Sequence, residues 1–390
     1  MTPAIELIGI DKRFGSVHAN KDVSLAIATG SIHGIIGENG AGKSTLMSIL
    51  FGFYQADAGE IRVKGKPVKI RSSSDAIALG IGMVHQHFML VEPFTVLENV
   101  VLGAEGGRLI GPALVKARAE LVRLAKDYEL EVDPDAIVGE LPVGLQQRVE
   151  ILKALFRGAE TLILDEPTGV LTPDEADHLF RILRTLTDQG KTVILITHKL
   201  REIIAITDHV SVMRRGEVVA TRKTMETDVM ELAELMVGRR VLMHVEKGPA
   251  TPGETVLEVK NLTWKDRKGI ARVDNVSFSV RKGEIVGIAG VSGNGQSELL
   301  DVIAGITRPA SGQVIFEGKD IGILGDPRHV RAEGLAHVPE DRQHRGLIGS
   351  FDAAESAILG WHHLDSLGKG FRLDRDKVVA ALEFAFISAY

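Results

Sequence analysis

The chain has 390 residues, of which 44% are hydrophobic and 25% charged, which is the composition of an ordinary globular protein. The formal net charge of −6 provides no overall basic surface for nucleic acid, and the absence of cysteine excludes disulfides and thiolate metal sites. No apolar run approaches the roughly 20 residues that a membrane-spanning helix needs.

The first element with a chemical signature is a glycine-rich loop between a short apolar strand at 31–36 and a helical pattern at 46–50. The loop and the start of the helix read Gly37, Glu38, Asn39, Gly40, Ala41, Gly42, Lys43, Ser44 and Thr45. This is the GxxxxGK[ST] spacing of a phosphate loop, in which backbone N–H groups and the positive end of a helix surround an anion. We expect Lys43 to reach the outer phosphates and Ser44 to ligate Mg²⁺, so the sequence predicts a nucleoside triphosphate site.

A further apolar strand is predicted over residues 81–88, with polar side chains at its end. Gln86 is a candidate Mg²⁺ ligand, because amide oxygens are among the ligands that hard cations accept. His85 and His87 share one face of this strand, which is also a spacing found in metal sites. No carboxylate or cysteine accompanies them, and we therefore interpret both as surface residues.

The next predicted element is a glycine turn that opens an amphipathic helix. Its residues are Leu141, Pro142, Val143, Gly144, Leu145 and Gln146. A helix that begins at a glycine offers free N–H groups to an anion, so this turn is a second candidate contact for phosphate. In isolation the pattern is only a weak indication of function.

Two buried parallel strands are predicted by continuous apolar runs, and both end in polar side chains. The first ends in Asp165 and Glu166, and the second ends in His198. Ligands of α/β sheets bind at the carboxyl ends of strands. We expect Asp165 to hold Mg²⁺ through water and Glu166 to polarise the water that attacks the γ-phosphate. His198 is expected to hydrogen-bond the γ-phosphate and the same water.

The second half of the chain repeats the first. Gln296 follows Lys43 by 253 positions, and the same offset relates other motifs. Because glutamine replaces the lysine, the second phosphate loop is degenerate; its residues are Gly290, Gly293, Gly295, Gln296 and Ser297. We predict a first domain at 1–245, a linker rich in proline and glycine at 246–254, and a second domain at 255–390.

Together these motifs, in this order over nearly all of the first copy, resemble those of the ATP-binding cassette (ABC) ATPases. The resemblance implies an α/β fold of two tandem P-loop cassettes, each a mostly parallel sheet with flanking helices, an antiparallel β edge and a helical subdomain. It also places Phe14 like the aromatic residue that stacks on adenine, with a core position as the alternative. In the second copy Trp264 is the nearest aromatic counterpart, and Glu340 occupies the place of Gln86.

The resemblance further implies an ATPase subunit, with ATP and Mg²⁺ as cofactors, that energises a bacterial importer of simple sugars or nucleosides. Pro142 and the run at 148–153 favour nucleosides. Such a subunit lies on the cytoplasmic face of the membrane and docks on integral permease subunits, here through residues 87–98. An extracytoplasmic solute-binding protein is an indirect partner, and no nucleic acid is bound.

Two departures from the family pattern shape the expected activity. The glycine turn at 141–146 corresponds to the signature motif of the family, and Pro142 and Leu145 replace its usual serine and glutamine. In the family, the signature of one cassette completes the nucleotide site of the other, which here is the site that contains Gln296. One composite site is therefore expected to be weak. The second copy's own signature, Walker B strand and switch histidine would fall beyond Tyr390, so we expect a truncated second domain and a chain that is weak or inactive alone. A genuinely shortened second domain is the alternative.

Two alternatives remain at the level of the sequence. Tandem-cassette ATPases that act on ribosomes or DNA share the phosphate loops, but they carry a long charged linker and two intact loops. The short linker, Gln296 and the acidic net charge argue against them. A non-hydrolysing nucleotide-binding fragment is the other alternative, and a turnover assay distinguishes it.

Overall fold

A computed structural model describes residues 2–85, 88–103, 110–169, 171–240, 248–291, 293–322, 325–341, 345–361, 364, 366–369 and 372–380. The chain divides into two units, Met1–His244 and Val245–Tyr390, which we call unit 1 and unit 2. Over the described ranges, no helix is both long and apolar enough to cross a membrane.

Unit 1 alternates strands and helices along most of its length. Its strands are β1 (Ile5–Phe14), β2 (Val17–Ile27), β3 (Ile32–Ile36), β4 (Ala58–Val63), β5 (Lys66–Val68), β6 (Ile81–Val84), β7 (Thr161–Asp165), β8 (Thr192–Ile196), β9 (His209–Arg214) and β10 (Glu217–Lys223). Its helices are α1 (Lys43–Leu50), α2 (Ser73–Ala78), α3 (Val96–Val101), α4 (Ile110–Asp127), α5 (Val143–Phe156), α6 (Pro173–Asp188), α7 (Leu200–Ile206) and α8 (Val229–Val237).

The strands of unit 1 form two sheets. The larger has the order β10-β9-β3-β8-β7-β6 and is parallel except for β10, which pairs antiparallel with β9. The smaller sheet is antiparallel, with the order β2-β1-β4-β5. Every residue of β3 and β8 is buried, as continuous apolar runs predict for central parallel strands.

The core of unit 1 lies on both faces of the parallel sheet. Successive side chains of a strand point to opposite faces, so Ile32 and Ile36 join one apolar cluster and Ile35 joins the other. Helices α3 to α8 contribute to the first cluster. The antiparallel sheet, α1 and α2 contribute to the second cluster. Helix α1, which follows the phosphate loop, is therefore packed against the parallel sheet.

Unit 2 repeats the antiparallel part of this arrangement. Its strands are β11 (Thr255–Lys265), β12 (Ala271–Arg281), β13 (Ser311–Phe316), β14 (Lys319–Asp320), β15 (Gly368–Lys369) and β16 (Arg372–Leu373). Its α-helices include α9 (Gln296–Ile303), α10 (Pro327–Ala332) and α11 (Ala353–Ala357). The order β12-β11-β13-β14 matches β2-β1-β4-β5 of unit 1.

Residues 284–290 of unit 2, where the repeat predicts a counterpart of β3, form no strand. Ile285, Val286 and Ile288 are exposed there, whereas all of β3 is buried. In unit 1, β3 pairs with β8 on one side and β9 on the other. Among the described residues of unit 2 no strand pairs with 284–290.

Candidate nucleotide-binding site

The loop between β3 and α1 has a backbone that requires glycine at two of its positions. Gly42 is the N-cap of α1 and has a φ of 99°. A Cβ on Gly42 would lie 2.3 Å from the carbonyl oxygen of Ala19, and one on Gly37 would lie 2.4 Å from that of Met213. Helix α1 begins at Lys43, three residues earlier than the apolar pattern indicates, so its N-terminus faces the loop directly.

Neighbouring segments hold this loop in place. Asn20, which is fully buried in β2, donates from Nδ2 to the carbonyl oxygen of Gly42 over 3.1 Å. The backbone N–H of Gly216, in the turn between β9 and β10, donates to the carbonyl oxygen of Ala41 at 3.1 Å. The loop is therefore tied to both sheets of unit 1.

Lys43 is the cation of the loop. Only 6% of the residue is exposed, and its Nζ donates to the carbonyl oxygens of Gly37 (2.7 Å) and Glu38 (3.1 Å). Burial lowers the pKa of Lys43, while the nearby carboxylates of Glu166 and Asp165 raise it. A buried ammonium beside carbonyl groups and carboxylates is in place to bind the oxygens of a phosphate group.

Asp165, the last residue of β7, lies against the first turn of α1. Burial raises the pKa of its carboxyl group and Glu166 raises it further, whereas a hydrogen bond with the side chain of Ser44 and the charge of Lys43 lower it. Hydroxyl and carboxylate oxygens are the hard ligands that Mg²⁺ prefers. The donor set of Ser44 and Asp165 therefore fits this ion.

Glu166 and His198 meet beyond the ends of the neighbouring parallel strands β7 and β8. Oε1 of Glu166 lies 2.8 Å from Nδ1 of His198, in a hydrogen bond that the carboxylate accepts. Glu166 has a φ of 47°, and its N–H donates to the carbonyl oxygen of Ile196. The turn after Asp165 thus directs the Glu166 carboxylate toward β8, next to the end of the strand that precedes His198.

Phe14 lies at the end of β1 and is exposed, so it is not a core residue. Its ring centroid is 5.1 Å from that of Tyr54, with the ring planes at 71°. The Lys12 ammonium lies 5.4 Å from the same centroid. Sequence reasoning did not find Tyr54, because an aromatic residue after a helix has no characteristic spacing from the phosphate loop.

The signature segment differs from the predicted glycine turn. Helix α5 begins at Val143 directly after Pro142, and Gly144 therefore lies inside its first turn. A Cβ on Gly144 would lie 2.7 Å from Oε1 of Glu175 in α6, so the Glu175 side chain would have to move to accommodate it. Leu145 lines a cleft of about 380 Å³ between α5 and α6, and Gln146 donates back to the carbonyl oxygen of Leu141 at 2.9 Å.

Further polar contacts near the strand ends were not indicated by the sequence. Gln147 of α5, which is buried, donates to the carbonyl oxygen of Pro167, the residue after Glu166. Lys199, the residue after His198, donates to the carbonyl oxygen of Thr168 at 2.9 Å. The only indication in the sequence was that Gln147 and Lys199 each follow a predicted site residue, Gln146 and His198.

His85, which the sequence suggests is a surface residue, is only partly exposed. Strand β6 ends at Val84, earlier than predicted, and the His85 ring lies 5.4 Å from that of Phe53 and 6.1 Å from that of Phe51. Burial lowers the pKa of His85, and the charge of Lys153 lowers it further. Phe51 and Phe53 follow α1 and are distant from His85 in sequence, so the pattern of residues within one strand could not reveal these contacts. Gln86 and His87 lie outside the described residues.

The loop of unit 2 shares backbone features with that of unit 1. Gly295 is the N-cap of α9 with a φ of 92°, and Gly293 has a φ of 86°. Gln296 stands where Lys43 stands in unit 1 and lies against Gly290. The Ser297 hydroxyl donates to Glu340 at 2.9 Å. Trp264 packs on the apolar core of unit 2.

Comparison with known proteins supports the same class. The profile of the ABC transporter family matches residues 20–169 and 273–375. The nucleoside import ATP-binding protein NupA of Lactococcus lactis subsp. cremoris is 47% identical over 96% of this chain and 74% of its own. The guanosine import ATP-binding protein NupO of Bacillus subtilis is 48% identical over 92% of this chain and 70% of its own.

Other relatives are named for sugar import, and the fold is similar to that of solved cassettes. The glucose import ATP-binding protein TsgD13 of Haloferax volcanii is 44% identical over 100% of this chain and 75% of its own. The ADP conformation of MJ1267, an ATP-binding cassette of an ABC transporter, aligns with a TM-score of 0.53 at 26% identity, over 61% of this chain and 100% of that one. The chain belongs to the ABC transporter family, and it is an ATPase of that family.

Proposed function

We propose that unit 1 binds and hydrolyses Mg·ATP and thereby energises a membrane importer of nucleosides or simple sugars. The observation that carries the proposal is the convergence of three chemical groups at one edge of the parallel sheet. These are the Lys43 ammonium in its loop, the Ser44–Asp165 oxygen pair, and the Glu166–His198 pair.

Each group has a defined part in the proposed reaction. The loop N–H groups and Lys43 bind the phosphates, and Ser44 and Asp165, together with Gln86, would hold Mg²⁺. When bound, this ion supplies positive charge that neutralises the phosphate oxygens. Glu166 accepts the proton of the attacking water, and His198 keeps the carboxylate turned toward it and hydrogen-bonds the γ-phosphate.

Phe14 would stack on the adenine ring, since an exposed aromatic face at the edge of the site matches that task. The segment from Leu141 to Gln146, which includes the first turn of α5, would contact the γ-phosphate of a nucleotide held by another cassette. Pro142 weakens that contact because proline has neither a hydroxyl group nor an N–H to donate.

Unit 2 is proposed to be a second cassette, with domain limits of 1–245 and 255–390 around a linker at 246–254. Its loop keeps the glycines but has Gln296 in place of a lysine. We therefore expect it to bind nucleotide without supporting fast hydrolysis, because a neutral amide offers phosphate no compensating charge.

Nucleosides are the preferred solute class. NupA and NupO, two relatives of high identity over most of this chain, are named for nucleoside and guanosine import. Simple sugars are the second candidate, favoured by the glucose relative and by the ribose import ATP-binding protein RbsA of Chromobacterium violaceum at 40% identity. The partners are integral permease subunits, contacted through residues 87–98 on the cytoplasmic face of the membrane, and through them a solute-binding protein.

Uptake measurements test this function. Cells that lack the gene are given radiolabelled guanosine, ribose or glucose, and are complemented with the wild type or with Glu166→Gln. We expect guanosine uptake to be lost and to be restored only by the wild type. Loss of sugar uptake alone would favour the second candidate, and unchanged uptake of all three solutes would contradict the proposal.

A further inference from the structure

Phe14 is contacted by the side chain of Tyr54 and by that of Lys12, its neighbour on β1. The Tyr54 ring meets it at 5.1 Å and 71°, which is the edge-to-face arrangement that aromatic pairs favour. The Lys12 ammonium lies within cation–π distance of it. Phe14 is 41% exposed and Tyr54 44%, so the pair leaves apolar surface open to a ligand.

Tyr54 is anchored to the helix that begins at the phosphate loop. The N–H groups of Phe53 and Tyr54 donate to the carbonyl oxygen of Ser48 in α1, at 2.8 and 3.2 Å. Gly52 before them has a φ of 83°, and a Cβ there would lie 2.4 Å from the backbone of Ser72. Since α1 is one rigid helix of about 12 Å, Tyr54 keeps a fixed position relative to Lys43.

Asp57 anchors the end of β1 that carries Phe14. Its Oδ1 accepts from the Lys12 ammonium at 2.8 Å, and its Oδ2 accepts from the N–H of Arg13 at 2.7 Å. The N–H of Asp57 donates to the carbonyl oxygen of Asp11 at 2.8 Å. The hydrogen bonds from Lys12 and Arg13 hold the pKa of Asp57 below its ordinary value.

We propose that Tyr54 and Asp57 are positioning residues that hold Phe14 as the platform for a purine base. Tyr54 sets the orientation of the Phe14 ring, and Asp57 fixes the strand end and Lys12 beside it. The inference rests on the proposed function, because it takes nucleotide binding at unit 1 as given. If the inference is correct, substitution of Tyr54 or Asp57 weakens binding of the base and leaves binding of the phosphates unchanged.

A competition experiment separates the two contributions. A fluorescent ATP analogue bound to the full chain is displaced by Mg·ATP or by Mg·tripolyphosphate, which has no base. Tyr54→Leu is expected to weaken ATP about two- to tenfold, as loss of an aromatic pair predicts, and to leave tripolyphosphate unchanged. Asp57→Ala is expected to show the same selectivity, and Tyr54→Phe should retain wild-type affinity because it keeps the ring.

Phe53→Leu is the matched control. Phe53 is adjacent and 49% exposed, but its ring contacts Phe51 and His85 instead of Phe14. This variant should bind both ligands like the wild type. The inference is overturned if Tyr54→Leu weakens both ligands equally, or if Phe53→Leu reproduces its effect. Failure of the wild-type chain to bind ATP through Lys43 would instead contradict the proposed function.

Discussion

At the scale of single residues, His33 links the stability of unit 1 to pH. Its ring is buried in β3, lies 2.8 Å from the Ser211 hydroxyl and stacks on His209 at 6.1 Å. Burial, and secondarily His209, lower the pKa of His33 from 6.5 to about 4. The unfolded chain therefore binds the proton first, and the stability contribution is complete above pH 6.5 and is lost as the pH falls toward 4.

We predict that unit 1 loses up to about 3 kcal/mol of stability through His33 across this window. Urea unfolding of a 1–244 fragment, followed by circular dichroism at pH 7 and pH 5, measures the larger part of this loss. His33→Gln keeps a hydrogen-bonding side chain but cannot titrate, so it should lose clearly less stability than the wild type between the two pH values. Equal losses would show that His33 does not carry the pH dependence.

The Glu166–His198 pair gives a second prediction at this scale. Glu166→Gln removes the base but keeps the shape, so ATP should still bind while turnover in membranes containing the importer falls by about 10² or more. His198→Ala should act likewise. Turnover at the wild-type rate in Glu166→Gln would exclude Glu166 as the base.

At the scale of elements, the start of α1 depends on one close approach of two backbones. Gly40 and Gly42 both have positive φ, but a Cβ on Gly40 meets nothing within 4 Å, whereas one on Gly42 overlaps Ala19. Gly40→Ala should therefore cost only the left-handed strain of about 1–2 kcal/mol. Gly42→Ala should cost about 1–3 kcal/mol more and weaken ATP binding. Equal stability of the two variants in urea would contradict this account of the loop.

The regular elements around the site could be predicted, whereas contacts between distant segments could not. The apolar runs that end at Asp165 and before His198 indicate buried parallel strands, because such runs are buried on both faces. That the two strands pair with each other is seen only in the structure. The partial burial of His85 depends on the Phe53 ring, which follows α1 in the chain. The space beside Gly144 is limited by the side chain of Glu175 in α6. Periodicity within one segment carries no information about such neighbours.

At the scale of the whole molecule, the two units differ in how far the apolar segment before the glycine-rich loop is buried. Unit 1 encloses β3 between paired strands, whereas Ile285 in unit 2 is 92% exposed. We predict that limited proteolysis leaves a stable fragment ending near residue 244 and cuts unit 2 first at 284–290. Mass spectrometry identifies the fragments, and equal resistance of both units would contradict the prediction.

The central claim is that the loop around Lys43 binds nucleotide. Calorimetric titration of the chain with Mg·ATP tests this claim most directly. The account predicts that Lys43→Ala weakens ATP at least about tenfold, because a charged hydrogen bond contributes about 1.5–3 kcal/mol. Lys191→Ala is the control, since Lys191 precedes the start of β8 and pairs with Glu160 at 2.9 Å. An unchanged affinity in Lys43→Ala, or an equal loss in Lys191→Ala, would contradict the account.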